Sequence, residues 1–110
     1  MDADGLETEV IAADGRAVIR VNGELDLFTT PDFGVKIREA LALGLPELVL
    51  DARGVTFISS GGMSALVGET SEFIRAGGRV VIRPSPIVAR FIGLVGLTEW
   101  FVMDWDQEDS

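Results

Sequence analysis

The sequence predicts an α/β domain: a mixed β-sheet of about five strands with helices packed against it. Three observations carry this. Asp14-Gly15 lies between two β-rich apolar runs, a strong hairpin signal because both turn residues tolerate positive φ. From Thr30 onward helical and strand patterns alternate, which builds parallel strands through crossover units. A chain of 110 residues, 47% of them hydrophobic, supplies one core and not two, so residues 1–110 form a single domain.

The hairpin strands are expected at Thr8 to Ala13 and Arg16 to Val21, with the second ending at Asn22-Gly23 and Glu24, Leu25 and Asp26 on a connection. A helix starts near Thr30-Pro31-Asp32: Thr caps the free amides, Pro suits the first helical position and Asp complements the dipole. Phe33, Ile37, Ala40 and Leu41 form its apolar face, and Gly44 with Leu45-Pro46 closes it. Leu48-Val49-Leu50 reads as a strand buried on both faces. Asp51 to Ser60 reads as a loop with an apolar knot, Val55 to Ile58.

A second helix begins at Ser59 or Ser60, carries Met63, Leu66, Val67, Thr70, Phe73 and Ile74 on one side, and ends at Ala76-Gly77-Gly78. Arg79 to Arg83 is the next strand. Pro84-Ser85-Pro86 opens a third helix with Ile87, Val88, Phe91, Ile92 and Val95 inward, stopped by Gly96. Glu99 to Met103 is a last strand. Asp104 to Ser110 is a frayed acidic tail beyond a core of residues 8–103. There is no internal repeat or low-complexity tract.

Composition excludes much chemistry. There are no cysteines and no histidines, so disulfides, thiolate catalysis, a Ser–His–Asp triad and the commonest metal ligands are all missing. No G-x-S-x-G, P-loop or G-x-G-x-x-G run occurs. Lys36, the one lysine, falls mid-helix on a solvated face. Glu24, Asp26 and Asp51 are carboxylates with acid–base potential, but Asp26 and Asp51 read better as residues that order loops by accepting backbone amides. The expectation is a binding module: no enzyme, no cofactor and no metal.

A net charge of −9 repels phosphate backbones and anionic bilayers, so neither nucleic acid nor a membrane surface is expected as ligand. The N-terminus has no signal-peptide pattern and no apolar run is long enough to span a bilayer. The expected location is cytoplasmic.

The informative stretch is Phe57-Ile58-Ser59-Ser60-Gly61-Gly62-Met63, where a buried strand and an apolar loop deliver two hydroxyls to a helix start. One serine is an N-cap. That leaves the second serine and the two glycines unexplained, since each glycine lowers helix propensity by roughly 1 kcal/mol. The glycines are expected to leave the first turn uncovered, so that another protein approaches the backbone closely. A phosphate added here is stabilised by free amides, while a partner docked over the turn has to bury a multiply charged group. Trapping it without a matching cation costs several kcal/mol, enough to switch binding off.

Gly23-Glu24-Leu25-Asp26, the Leu48 to Asp51 strand, Phe57-Ile58-Ser59-Ser60-Gly61, Gly77-Gly78 and Val95-Gly96-Leu97 stand in the order and spacing of STAS domains. The chain resembles bacterial anti-sigma factor antagonists over roughly residues 8 to 103. The resemblance implies a partner that is both an anti-sigma factor and a serine kinase. Binding it releases a sigma factor, phosphorylation at the start of the second helix ends the interaction, and a serine phosphatase resets it. It further implies Ser59 as phosphoacceptor, with Ser60 the alternative, and Glu24, Asp26, Ser59, Ser60, Gly61, Gly62 and Met63 as partner-binding residues. Two positions depart from the family pattern: Ile58 stands where Asp is frequent, and Gly62 where Leu is usual. An alternative is an unregulated STAS adaptor subunit of a lipid-transport ATPase complex or a stress-signalling assembly.

Overall fold

The computed structural model describes residues 5–105. Strands β1 (Leu6–Ala13) and β2 (Arg16–Leu25) form an antiparallel hairpin, followed by α1 (Thr30–Leu41), β3 (Glu47–Ile58), α2 (Ser60–Arg75), β4 (Arg79–Pro84), α3 (Pro86–Leu94) and β5 (Val102–Met103). The five strands lie in sequence order, with β2 to β5 parallel. Asp14 and Gly15 both take positive φ, 56° and 76°, so the hairpin turn is the tight one its sequence predicts.

The helices share one face of the sheet. Phe33, Ile37 and Ala40 of α1, Met63 and Leu66 of α2 and Val88 and Ile92 of α3 join one core cluster with Ala17, Ile19, Val21, Leu48, Leu50, Val80 and Ile82. Among the described residues no helix packs on the opposite face. Ile11, Val18, Val49, Val81 and Val102 stand in register as one apolar row across all five strands, outside that cluster. Charged rows flank it. Glu47 pairs with Arg16 at 3.6 Å and Arg79 at 3.0 Å on one side. On the other, Arg20, Asp51 and Arg83 lie in register. Val49, in the middle of the apolar row, is fully buried.

Several expectations are corrected. β3 does not stop at Asp51. It runs on through the expected loop to Ile58, because two register shifts against β2 absorb an extra residue each, at Ala52-Arg53 and at Thr56, as bulges. β2 likewise continues through Gly23 and Glu24 to Leu25. The last strand is only Val102–Met103, with Glu99 and Trp100 in a turn before it. On α3, Ile87 and Val95 are exposed rather than inward. Asp104, placed in a frayed tail by the sequence, is held: its amide donates to Ile82 O at 2.8 Å and its carboxylate pairs with Arg83 at 3.2 Å. The remainder of that tail, 106–110, lies outside the described residues.

Candidate functional site

The two strand extensions end side by side, Leu25 against Ile58, and this places the site. The next residue, Ser59, keeps extended geometry (φ −93°, ψ 169°), and its amide donates to Leu25 O at 2.8 Å. Its Oγ accepts the Gly62 amide at 3.1 Å, and its carbonyl accepts the Met63 amide. Ser59 is therefore the N-cap of α2 and the last rung of the β2–β3 ladder at once. It is half-buried, and Ser60 beside it is exposed. No carboxylate lies in the first turn of α2, so the helix supplies no negative charge of its own to offset its positive end.

Beside it, the β2–α1 connection is knotted by side-chain bonds. Asp26 Oδ1 accepts the amides of Phe28 at 2.9 Å and Thr29 at 3.1 Å. Thr29 Oγ1 accepts the Asp26 amide at 2.9 Å and donates to Glu24 O at 2.7 Å. Thr30 Oγ1 donates to Asp26 O at 2.6 Å. The N-cap position of α1 is thus Thr29 and not Thr30; no threonine hydroxyl caps the helix, Asp26 Oδ1 accepts the two amides that precede its first turn, and the Thr30 amide donates to Asp26 O. Asp26 orders the loop as its sequence reading expects.

That knot holds two large apolar side chains out in solvent: Leu27 is 78% and Phe28 82% exposed. Phe57, paired with Glu24, is exposed nearby on β3. Leu27 and Phe28 are not among the residues expected to meet a partner. The signal was there: two bulky apolar residues inside an Asp-x-x-Thr turn have neither strand nor helix to bury them.

Of the residues expected to meet a partner, Glu24, Ser60 and Gly61 are exposed and Asp26 and Ser59 half-buried at this end of the sheet. Gly62 and Met63 are not surface residues. A Cβ on Gly62 would stand 3.2 Å from Leu25 Cβ and Leu25 O, so this glycine lets α2 sit close on β2 rather than opening the turn to a visitor. The same closeness shows that the absence of a leucine at this position leaves no gap. Met63 is 4% exposed and belongs to the core.

Asp51 lies within β3 and not on a loop, so its ordering role is different from the one expected. Its carboxylate takes Arg53 in a two-point pair, 2.8 Å from Nε and 2.7 Å to Nη2, and accepts the Arg53 amide at 3.3 Å. Burial pushes its carboxyl up, but the bonds from Arg53 and the charges of Arg53 and Arg83 outweigh this and hold it below the usual carboxylate range. Lys36 pairs with Glu39 at 3.5 Å on the outer side of α1. Among the described residues no group of acidic side chains is placed to hold a metal, and no helix is long and apolar enough to cross a membrane.

Fold and site together define an α/β binding domain that presents a capped serine and an apolar hook at one end of its sheet. The sequence profile of the STAS domain matches residues 7–109, and the chain belongs to that family. Within it, the chain is 30% identical over 95 residues to the anti-sigma F factor antagonist of Lysinibacillus sphaericus, covering 84% of this chain and 80% of that protein. It is similar to the crystal structure of an anti-sigma factor antagonist from Mycobacterium paratuberculosis, with a TM-score of 0.82, 32% identity and coverage of 99% and 94% of the two chains. It also shares the fold of the phosphorylated form of the Bacillus cell fate determinant SpoIIAA, with a TM-score of 0.67, 24% identity and 93% of each chain covered.

Proposed function

We propose that the chain is an anti-sigma factor antagonist whose binding end is gated by phosphorylation of Ser59, with Ser60 as the alternative acceptor. The partner is an anti-sigma factor with serine kinase activity, bound while the serines are free, and a serine phosphatase reverses the modification. The observation that carries this reading is the position of Ser59. Its hydroxyl caps α2, whose own first turn carries no carboxylate, one hydrogen bond from the strand that leads into the Leu27-Phe28 hook.

A phosphoryl group at this cap gains free amides and the helix dipole, so the folded domain tolerates it. The same dianion beside Leu27 and Phe28 has to be desolvated when a partner covers the hook, at a cost of several kcal/mol. SpoIIAA, of the same fold, has a phosphorylated form. The relatives' designation as antagonists supports the choice of partner.

The test is a binding titration of the cognate anti-sigma factor with wild type, Ser59→Asp and Ser59→Ala, each checked for folding by the fluorescence of Trp100 and Trp105. Wild type and Ser59→Ala are expected to bind, Ser59→Asp to lose binding, and Ser59→Ala to resist the kinase. Equal binding by wild type and Ser59→Asp sinks the switch. Mass spectrometry of the protein recovered from its host assigns the phosphate to Ser59 or Ser60.

A further inference from the structure

From the geometry of α2 and α3 we infer that the groove between them is the second half of the docking surface and takes one amphipathic helix of the anti-sigma factor; this rests on the functional reading above. The two helices scarcely touch each other. They leave an open cleft of about 400 Å³, within the range of roughly 300–1,000 Å³ in which protein sites hold organic ligands. Met63 forms its buried floor, Val67 one wall, and Phe91, Val95 and Leu97 the other. No charged side chain lines it, so its occupant is apolar.

The banks of the groove specify the occupant further. Along α2 the exposed ridge is Ser60, Ser64 and Gly68, spaced by four residues, so this bank has almost no side-chain height and admits another helix close to its backbone. On the far bank Val95 is half-exposed and its neighbour Leu94 is 79% exposed, an apolar rim with nothing of this chain to cover it among the described residues. Low bank, apolar floor and apolar rim match a helix laid in a groove, its anchors spaced at i, i+3, i+4 and i+7. The net charge of −9 disfavours a second copy of this chain and selects a partner with basic residues beside its apolar stripe.

The groove is continuous with the switch. Ser60 is at once the first residue of α2 and part of the groove wall. A helix seated here therefore passes over the phosphorylation turn, and one phosphate interferes with the hook on one side and the groove on the other.

Gly68 gives a clean test, because a Cβ there meets nothing within 4 Å. Gly68→Leu fills the groove without touching the serines or the hook, and Leu94→Ser trims the rim. Against the purified cognate anti-sigma factor, Gly68→Leu is expected to lower affinity at least tenfold and Leu94→Ser about threefold, with thermal midpoints at or above wild type. Gly68→Ala, a smaller addition, is expected to bind within about twofold of wild type. Wild-type affinity in both Gly68→Leu and Leu94→Ser, while Ser59→Asp still abolishes binding, overturns the groove assignment and leaves the switch standing. A concentration-dependent dimer abolished by Gly68→Leu, with partner affinity unchanged, gives the groove to a second copy and also overturns it. A wild-type chain that binds no anti-sigma factor removes the functional reading and the groove assignment together.

Discussion

Ser59 and Leu25 are joined backbone to backbone, the serine amide on the leucine carbonyl at 2.8 Å. This one bond ties the head of α2 to the end of β2, and so to the Asp26 turn and the hook behind it. Any change that loosens the cap or the turn is therefore felt at both.

Ser59→Ala removes the side-chain acceptor for the Gly62 amide. A loss of about 1 kcal/mol is expected, as for other N-cap deletions. Ser60→Ala, at an exposed position, is expected to stay within about 0.5 kcal/mol of wild type. Urea unfolding monitored by tryptophan fluorescence separates the two.

Asp26→Ala leaves the Phe28 and Thr29 amides without their carboxylate acceptor. About 1–3 kcal/mol of stability is expected to go, since Thr29 is buried and its amide has little access to water. Asp26→Asn keeps an oxygen in the same place and is expected to restore most of that. If Asn behaves like Ala, the charge matters and not the turn.

Phe28→Ala and Leu27→Ala are expected to leave the unfolding midpoint unchanged, because both side chains are in solvent. Each is expected to weaken partner binding by about 2 kcal/mol, the scale of an aromatic or aliphatic anchor that becomes buried at an interface. Calorimetric titration and thermal unfolding of the same samples give both readouts.

Gly23 adopts φ +111°, and a Cβ there would lie 2.0 Å from Gly5 O, the acceptor of the Glu24 amide. Gly23→Ala is expected to cost about 1–3 kcal/mol through backbone strain and displacement of β1. Hydrogen exchange is expected to show the loss first at the Glu24 amide.

The Asp51 carboxyl titrates below its unfolded value, so its contribution to stability is present above that value and is lost as pH falls through the folded one. The window lies below about pH 4. Asp51→Asn is expected to flatten the acid limb of the stability–pH curve there. If the limb keeps its wild-type slope, the Arg53 pair contributes nothing to acid stability.

Much of the fold was legible in local pattern. Asp14-Gly15, the Phe33–Ile37–Ala40 spacing, a serine cap at Ser59-Ser60 and the Pro84-Ser85-Pro86 helix start each depend on contacts a few residues long, and the structure has a tight turn, a buried helix face and two helix starts at those places, capped by Ser59 and Ser85. What failed was extent. Asp51 to Ser60 read as a loop because nothing local shows that a neighbouring strand can absorb Ala52-Arg53 and Thr56 as bulges.

The sequence by itself determined the class of domain, the absence of histidine and cysteine chemistry, and the serine pair at the head of a helix. These follow from residue type and short spacing. Only the tertiary structure decided what faces outward: that Gly62 and Met63 turn into the core, that Leu27 and Phe28 do not, and that α2 and α3 stand apart to leave a groove. Exposure depends on which distant segments pack over a residue, and a pairing such as Leu25 with Ile58, thirty-three positions apart by numbering, has no expression in either stretch alone.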